Sequence, residues 1–162
     1  MTMLDQTENR WTPQALGLLR IVTGLLFLQH GTAKIFGFPW VSSMAHPPAG
    51  SLWWAAGWME LIGSVMLITG LFTRPVAFLL AGEMAVVYWL IHAPDSFFPM
   101  INDGEEAILF CFIFLLFAAT GSGKWSIDGW LRRDDDDPDV HGYAAPGGER
   151  QYRPEDFGDK VI

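Results

Sequence analysis

Four apolar stretches, at about residues 15–36, 52–72, 75–92 and 103–120, are separated by short segments rich in Gly, Pro and polar residues. A hydrocarbon core about 30 Å thick needs roughly 20 apolar residues per helix, so each stretch predicts a membrane-spanning helix. The breaks between them are chemically marked. The first stretch stops at Gly37-Phe38-Pro39, and Pro47, Pro48 and Gly50 make the following loop irregular. The second opens on Trp53, Trp54 and Trp58, rings suited to a membrane interface. Thr73-Arg74-Pro75 predicts a tight turn with its proline in the first helical turn. Pro94 and Pro99 bracket a loop bearing Phe97 and Phe98, and the fourth stretch closes on Gly121-Ser122-Gly123.

The polar positions inside these stretches are also periodic. Arg20, Thr23, Gly24, Phe27, His30, Gly31 and Lys34 follow steps of three and four, which places them on one helix face turned into the bundle. Gly17, Gly24 and Gly31 recur along nearly the same side and predict close approach of a neighbouring helix. Glu60, with Gly57, Gly63 and Ser64 at helical spacing, is expected to face protein rather than lipid. With odd spans climbing outward and even ones descending at about 1.5 Å per residue, Glu60 and His30 both fall roughly 9 to 12 Å below the outer surface. Lys34 is shallower and His92 lies at the outer edge. Arg20 and Glu83 fall roughly 8 to 12 Å from the inner surface by the same count, which makes them an ion-pair candidate. Nine residues separate Glu83 from His92, so those two fall on opposite helix faces.

Composition agrees with an all-α integral membrane four-helix bundle: hydrophobic residues are 51% of the chain, charged residues 17%, and there are eight Trp and twelve Phe. The formal net charge of −8 offers no basic patch, so no nucleic-acid partner is expected. Cys111 is the single cysteine, which excludes an internal disulfide and a thiolate metal cage. The first apolar run is too long for a signal-peptide core and is expected to be retained. Arg10, Arg74, Lys124, Arg132 and Arg133 cluster on one side against Lys34 on the other, which predicts both termini in the cytoplasm. The expected organisation is an N-terminal cytoplasmic segment 1–14, a membrane domain 15–130, and a flexible acidic cytoplasmic tail 131–162 containing the run Asp134 to Asp137.

Ionisable groups at membrane depth are candidates for function. Lys34 and Arg20 also fit long side chains that reach back to the interface, and Glu60 and Glu83 also fit buried groups that fix helix register. At the start of the fourth span, Asn102 and Glu105 fit a capping box, which leaves Glu106 without that explanation. His30, Lys34, Glu60, His92, Glu105 and Glu106 together predict an outer-facing pocket of carboxylates and imidazoles. Such a set suits a divalent cation, a proton relay or the carbonyl of a quinone. No metal is assigned to it.

Leu19-Arg20, then Gly24-Leu25-Leu26-Phe27, then His30-Gly31-Thr32-Ala33-Lys34 resembles the first-helix signature of the DoxX family of small bacterial membrane proteins. Glu60 with Gly70-Leu71-Phe72-Thr73-Arg74-Pro75 is similar to the family's second helix and turn. Phe98-Pro99, Asn102-Asp103-Gly104-Glu105 and the closing Gly121-Ser122-Gly123-Lys124-Trp125-Ser126-Ile127-Asp128 resemble its fourth-helix region. The resemblance covers about residues 15–130. It implies a four-helix domain in the bacterial inner membrane, in a family named after a subunit of an archaeal thiosulfate:quinone oxidoreductase and linked elsewhere to redox stress. The family pattern singles out Arg20, His30, Gly31, Lys34, Glu60, Thr73, Arg74 and Glu105, whereas Glu106 stands where that pattern is apolar.

Two classes of function follow. The first is a membrane component of a quinone-linked or redox-stress system, with electrons supplied by a soluble or membrane oxidoreductase partner, since the chain has no Cys pair and no flavin or nicotinamide fingerprint. Haem is not expected, because bis-His ligation needs His30 and His92 to face one another. The second is a non-enzymatic scaffold or transport-related protein, whose buried charges hold the bundle or relay protons and whose missing wall a homo-oligomer supplies. Unbroken helices without an internal repeat argue against a secondary transporter acting alone.

Overall fold

The structure is a computed structural model that describes residues 3–42 and 46–135 of the chain, with side chains for 11–42 and 46–132. It is all-helical, with no strand among the described residues: α1 (Met3–Phe36), α2 (Leu52–Thr69), α3 (Thr73–Val87) continued by a π-helical turn (Tyr88–His92), α4 (Glu105–Thr120) and α5 (Ile127–Asp135). Three helices are long and apolar enough to cross a membrane, Trp11–Phe36, Leu52–Thr69 and Thr73–His92. α4 has 16 residues, about 24 Å of helix, and so is shorter than the 20 residues of Thr73–His92 and than the other two apolar helices. Exposed Leu18, Val22, Leu25, Ile62, Val65, Phe78, Leu79, Leu109 and Phe112 turn an apolar outer face toward what a lipid bilayer supplies.

The helices pack chiefly as two pairs, α1 with α2 and α3 with α4, and α2 meets α3 more loosely. Glycine allows the first pairing. A Cβ on Gly31 would lie 2.6 Å from the backbone nitrogen of Leu61, so only glycine admits α2 this close, as the spacing of Gly24 and Gly31 predicts. The core between the pairs is aromatic and aliphatic, with Phe27, Leu67, Ala77, Leu80, Phe110, Phe114 and Phe117 buried. Phe27 meets Phe114 edge-on at 4.9 Å, and Phe110 stacks on Phe114 at 5.7 Å.

The end of the bundle nearest α5 departs from expectation in three ways. α1 begins at Met3, so the segment expected to precede the first span is helical from that residue, and the Pro13 carbonyl accepts from the Lys124 amide at 2.9 Å. Arg20 does not pair with Glu83. Its guanidinium is fully buried and donates to backbone carbonyls of Leu67, Ile68 (2.8 Å), Ser122 (2.8 Å), Lys124 (3.4 Å) and Trp125 (2.8 Å). Glu83 sits ten residues along α3 from Thr73, about 15 Å up the helix, and so lies near the level of Glu60 instead. The third departure is α5 itself, which overlaps the expected tail; residues 136–162 of that tail, with Asp136 and Asp137, lie outside the described residues.

α5 has a definite task. Phe72, with φ 48°, takes the left-handed conformation that turns the chain from α2 into α3, and no side chain of its own caps the new helix. Asp128 supplies the cap from α5, accepting the Phe72 and Thr73 amides on its two oxygens at 2.8 Å each. Its own amide donates to Gly70 at 2.9 Å. Asp128→Ala is therefore expected to cost about 0.5–2 kcal/mol, the range for a lost helix cap, measured by thermal unfolding in detergent. Asp128→Asn keeps one acceptor oxygen and should lose less.

Candidate functional site

At the opposite end of the bundle a cavity of about 580 Å³ opens between α1, α2, α4 and the end of α3. α1 presents Phe27, His30 and Lys34 to it at steps of three and four, α2 presents Glu60, and α4 presents Glu106 and Phe110. The π-helical turn inserts a wider coil where α3 ends, with the Ala93 amide donating to the Tyr88 carbonyl at 2.9 Å. Ile91 and His92 line the cavity from this turn.

Two charged contacts organise the polar side of the cavity. The Lys34 ammonium donates to Glu60 Oε1 at 2.5 Å, with both side chains largely buried, so Lys34 is paired rather than reaching for the interface. Glu60 Oε2 is buried and has no hydrogen-bond partner among the described residues. Nearer the opening, His30 Nε2 stands 3.3 Å from Glu106 Oε1, where Glu106 is 67% exposed. Phe27 and Phe110 flank the imidazole at centroid distances of 5.8 and 5.9 Å.

His92 Nδ1 donates to the Asn102 carbonyl at 2.8 Å. In the neutral ring this leaves Nε2 as the nitrogen with the free lone pair. The cavity therefore combines an ammonium, three carboxyls and two imidazoles with walls of Phe27, Trp53, Met84, Val87 and Phe110. Its size is that of sites for small organic ligands, and a few convergent polar groups among apolar ones give orientation to what binds. Among the described residues no group of three or more His, Cys, Asp or Glu is placed to hold a metal ion.

Five of the six residues expected in an outer pocket come together here: His30, Lys34, Glu60, His92 and Glu106. Glu105 does not. It is exposed and absent from the cavity wall, and the expected capping box is not formed, because Gly104 is the N-cap and makes no side-chain cap. Asn102 instead folds back on its own loop, accepting from Gly104 N at 2.8 Å and donating to the Ser96 carbonyl at 2.7 Å. Asn-Asp-Gly is a turn-forming tripeptide, and that signal favours a local Asx turn over a helix cap. Asp103, Trp53 and the loop prolines Pro47 and Pro48 also line the cavity and were not anticipated there. Glu83 faces a separate groove between α2 and α3, apart from His92.

The family model for DoxX matches residues 15–93. An uncharacterized protein of Haemophilus influenzae is 40% identical over 124 residues, a stretch covering 74% of this chain and 92% of that protein. No solved structure matches.

Proposed function

Because the chain belongs to the DoxX family of membrane proteins, we propose that it is the membrane component of a quinone-linked redox system in the bacterial inner membrane, with its quinone site in the cavity between His30 and His92. α4 completes the bundle as a fourth span, and both termini face the cytoplasm, the side that carries most of the basic residues near the span ends. The observation that carries the reading is the convergence of His30, Lys34, Glu60, His92 and Glu106 on one apolar-walled cavity.

A quinone suits this arrangement chemically. It is soluble in the bilayer, its flat ring packs between Phe27, Phe110 and Trp53, and its two carbonyl oxygens accept from imidazole or ammonium donors. Reduction to the quinol consumes two electrons and two protons. An oxidoreductase partner provides the electrons, and the imidazoles and carboxyls provide routes for the protons from the open side of the cavity.

The test is binding of a short-chain ubiquinone to the detergent-purified protein, comparing wild type with His30→Gln and Glu106→Gln. Both substitutions act near the cavity opening and are expected to weaken binding about tenfold or more while the melting temperature holds, since His30→Gln removes the imidazole and Glu106→Gln the charge beside it. Absence of saturable binding by the wild type overturns the quinone reading and favours the scaffold, in which the same polar groups only hold the helices together.

A further inference from the structure

The loose contact between α2 and α3 leaves a second cavity, a groove of about 330 Å³ whose walls include Trp53, Ala56, Met59, Val86 and Leu90. Among the described residues its single ionisable group is Glu83. That side chain belongs to a residue only 7% exposed, and neither carboxyl oxygen has a hydrogen-bond partner among the described residues. Met59, Val86 and Leu90 are themselves exposed at the rim, so the groove opens sideways toward the lipid rather than to water.

The charges around it do not balance. Glu83 lies within electrostatic reach of Glu60 on α2 and Lys34 on α1, and Lys34 is already paired with Glu60. One ammonium thus serves two carboxyls, and the other described cation at membrane depth, Arg20, is bound to backbone carbonyls at the far end of the bundle. A buried carboxyl in such surroundings needs either a proton or a cation as its partner. A metal ion is a poor candidate, because the groove offers it one carboxyl where hard cations require several oxygen ligands. An organic cation with an apolar body fits better: the walls are apolar, and Trp53 supplies the aromatic face that attracts ammonium groups.

We propose that the α2–α3 groove is a binding site for lipophilic organic cations of the ammonium class, taken up from the bilayer and held by the Glu83 carboxylate against Trp53. Binding exchanges a proton for the ligand: the Glu83 carboxylic acid releases its proton, the carboxylate pairs with the ammonium, and departure of the ammonium returns the proton. The net charge of the groove is the same before and after. The site is distinct from the His30–His92 cavity and does not depend on a quinone being its ligand, although Trp53 and Val87 form walls of both.

The experiment is calorimetric titration of the full chain in detergent with benzyltrimethylammonium and with its neutral isostere neopentylbenzene, in two buffers of different ionisation heat. The expected result is saturable binding of the cation with release of a proton and no comparable binding of the isostere. Glu83→Gln should weaken cation binding about thirtyfold or more, the scale of losing one charge of a buried ion pair at a binding interface. Gly82→Phe provides an independent variant: a Cβ at Gly82 meets nothing within 4 Å, so a ring there fills the groove while Glu83 remains, and cation binding should again be lost. His30→Gln should leave cation binding unchanged, separating this site from the quinone cavity. Failure of the wild type to bind, equal binding of neopentylbenzene, or undiminished binding by Glu83→Gln overturns the proposal. If Glu83→Gln does not fold, retention of binding by Gly82→Phe does so.

Discussion

Arg20→Met is expected to lower stability by at least about 3 kcal/mol, read as a large fall in the melting temperature of the detergent-purified protein. The magnitude follows from what the guanidinium satisfies. Its donors reach carbonyls of Leu67, Ile68, Ser122, Lys124 and Trp125, which belong to the last turn of α2 and to the segment that leads into α5. A helix end leaves its final carbonyls without intrahelical partners, and a cation placed there is favoured by the helix dipole as well. Removing the fork leaves several buried acceptors empty at once, where each alone costs about 1–3 kcal/mol.

Arg20→Lys should recover less than half of the loss, because an ammonium is a point donor and cannot span carbonyls from two segments. The geometry leaves little room for rearrangement: a Cβ on Gly70 would fall 2.9 Å from Arg20 Nη1 and 2.4 Å from the Ser126 side chain. A melting temperature for Arg20→Met within a few degrees of wild type would mean that water replaces the guanidinium, and that this end of the bundle is held by packing alone.

The contrast between Arg20 and His30 shows where sequence reading succeeds. Both were placed on the inward face of the first helix by steps of three and four, and both are turned inward. Periodicity gives the face, and depth counted from the span end brought His30 and Glu60 to the same cavity. Partners are another matter. The partners of Arg20 are backbone atoms up to 105 residues away, and backbone carbonyls carry no sequence signal. The count puts Glu83 at the depth of Arg20, whereas it stands about 15 Å along α3 in electrostatic reach of Glu60; a count along one helix carries an error of a turn, and a turn decides which charge is nearest.

Asn102 and Glu106 illustrate the second limit. The capping box and the Asx turn both begin on Asn102, the first accepting from the amide three residues on and the second from the amide two residues on; the structure has the second, with the Asn102 side-chain amide also tied to the Ser96 carbonyl. The capping role of Asp128 depends on a contact between segments 55 and 56 residues apart that no local pattern records. Glu106 is legible as the acid that the capping box leaves unexplained, and as an exception, an acid where the family pattern is apolar. The structure puts it against His30, so the exception lies at the cavity itself.

Lys34→Met is expected to cost about 3–5 kcal/mol, the loss found when one member of a buried ion pair is removed. It should cost more than Glu60→Leu, and the asymmetry is informative. Removing Lys34 leaves Glu60 and Glu83 within electrostatic reach of each other with no cation between them, whereas removing Glu60 leaves Lys34 with Glu83 still in reach. The double variant Lys34→Met/Glu60→Leu replaces the pair by apolar groups and takes from Glu83 the repulsion of Glu60 together with the attraction of Lys34, so most of the stability should return. Thermal unfolding of all four proteins measures the coupling directly, and simple additivity of the two single losses would show that the 2.5 Å contact contributes nothing of its own. Quinone binding by the double variant then separates structure from function. A stable double variant that no longer binds places Lys34 and Glu60 among the groups that contact the ligand. A stable double variant that still binds confines their role to joining α1 to α2 and leaves recognition to His30, His92 and Glu106.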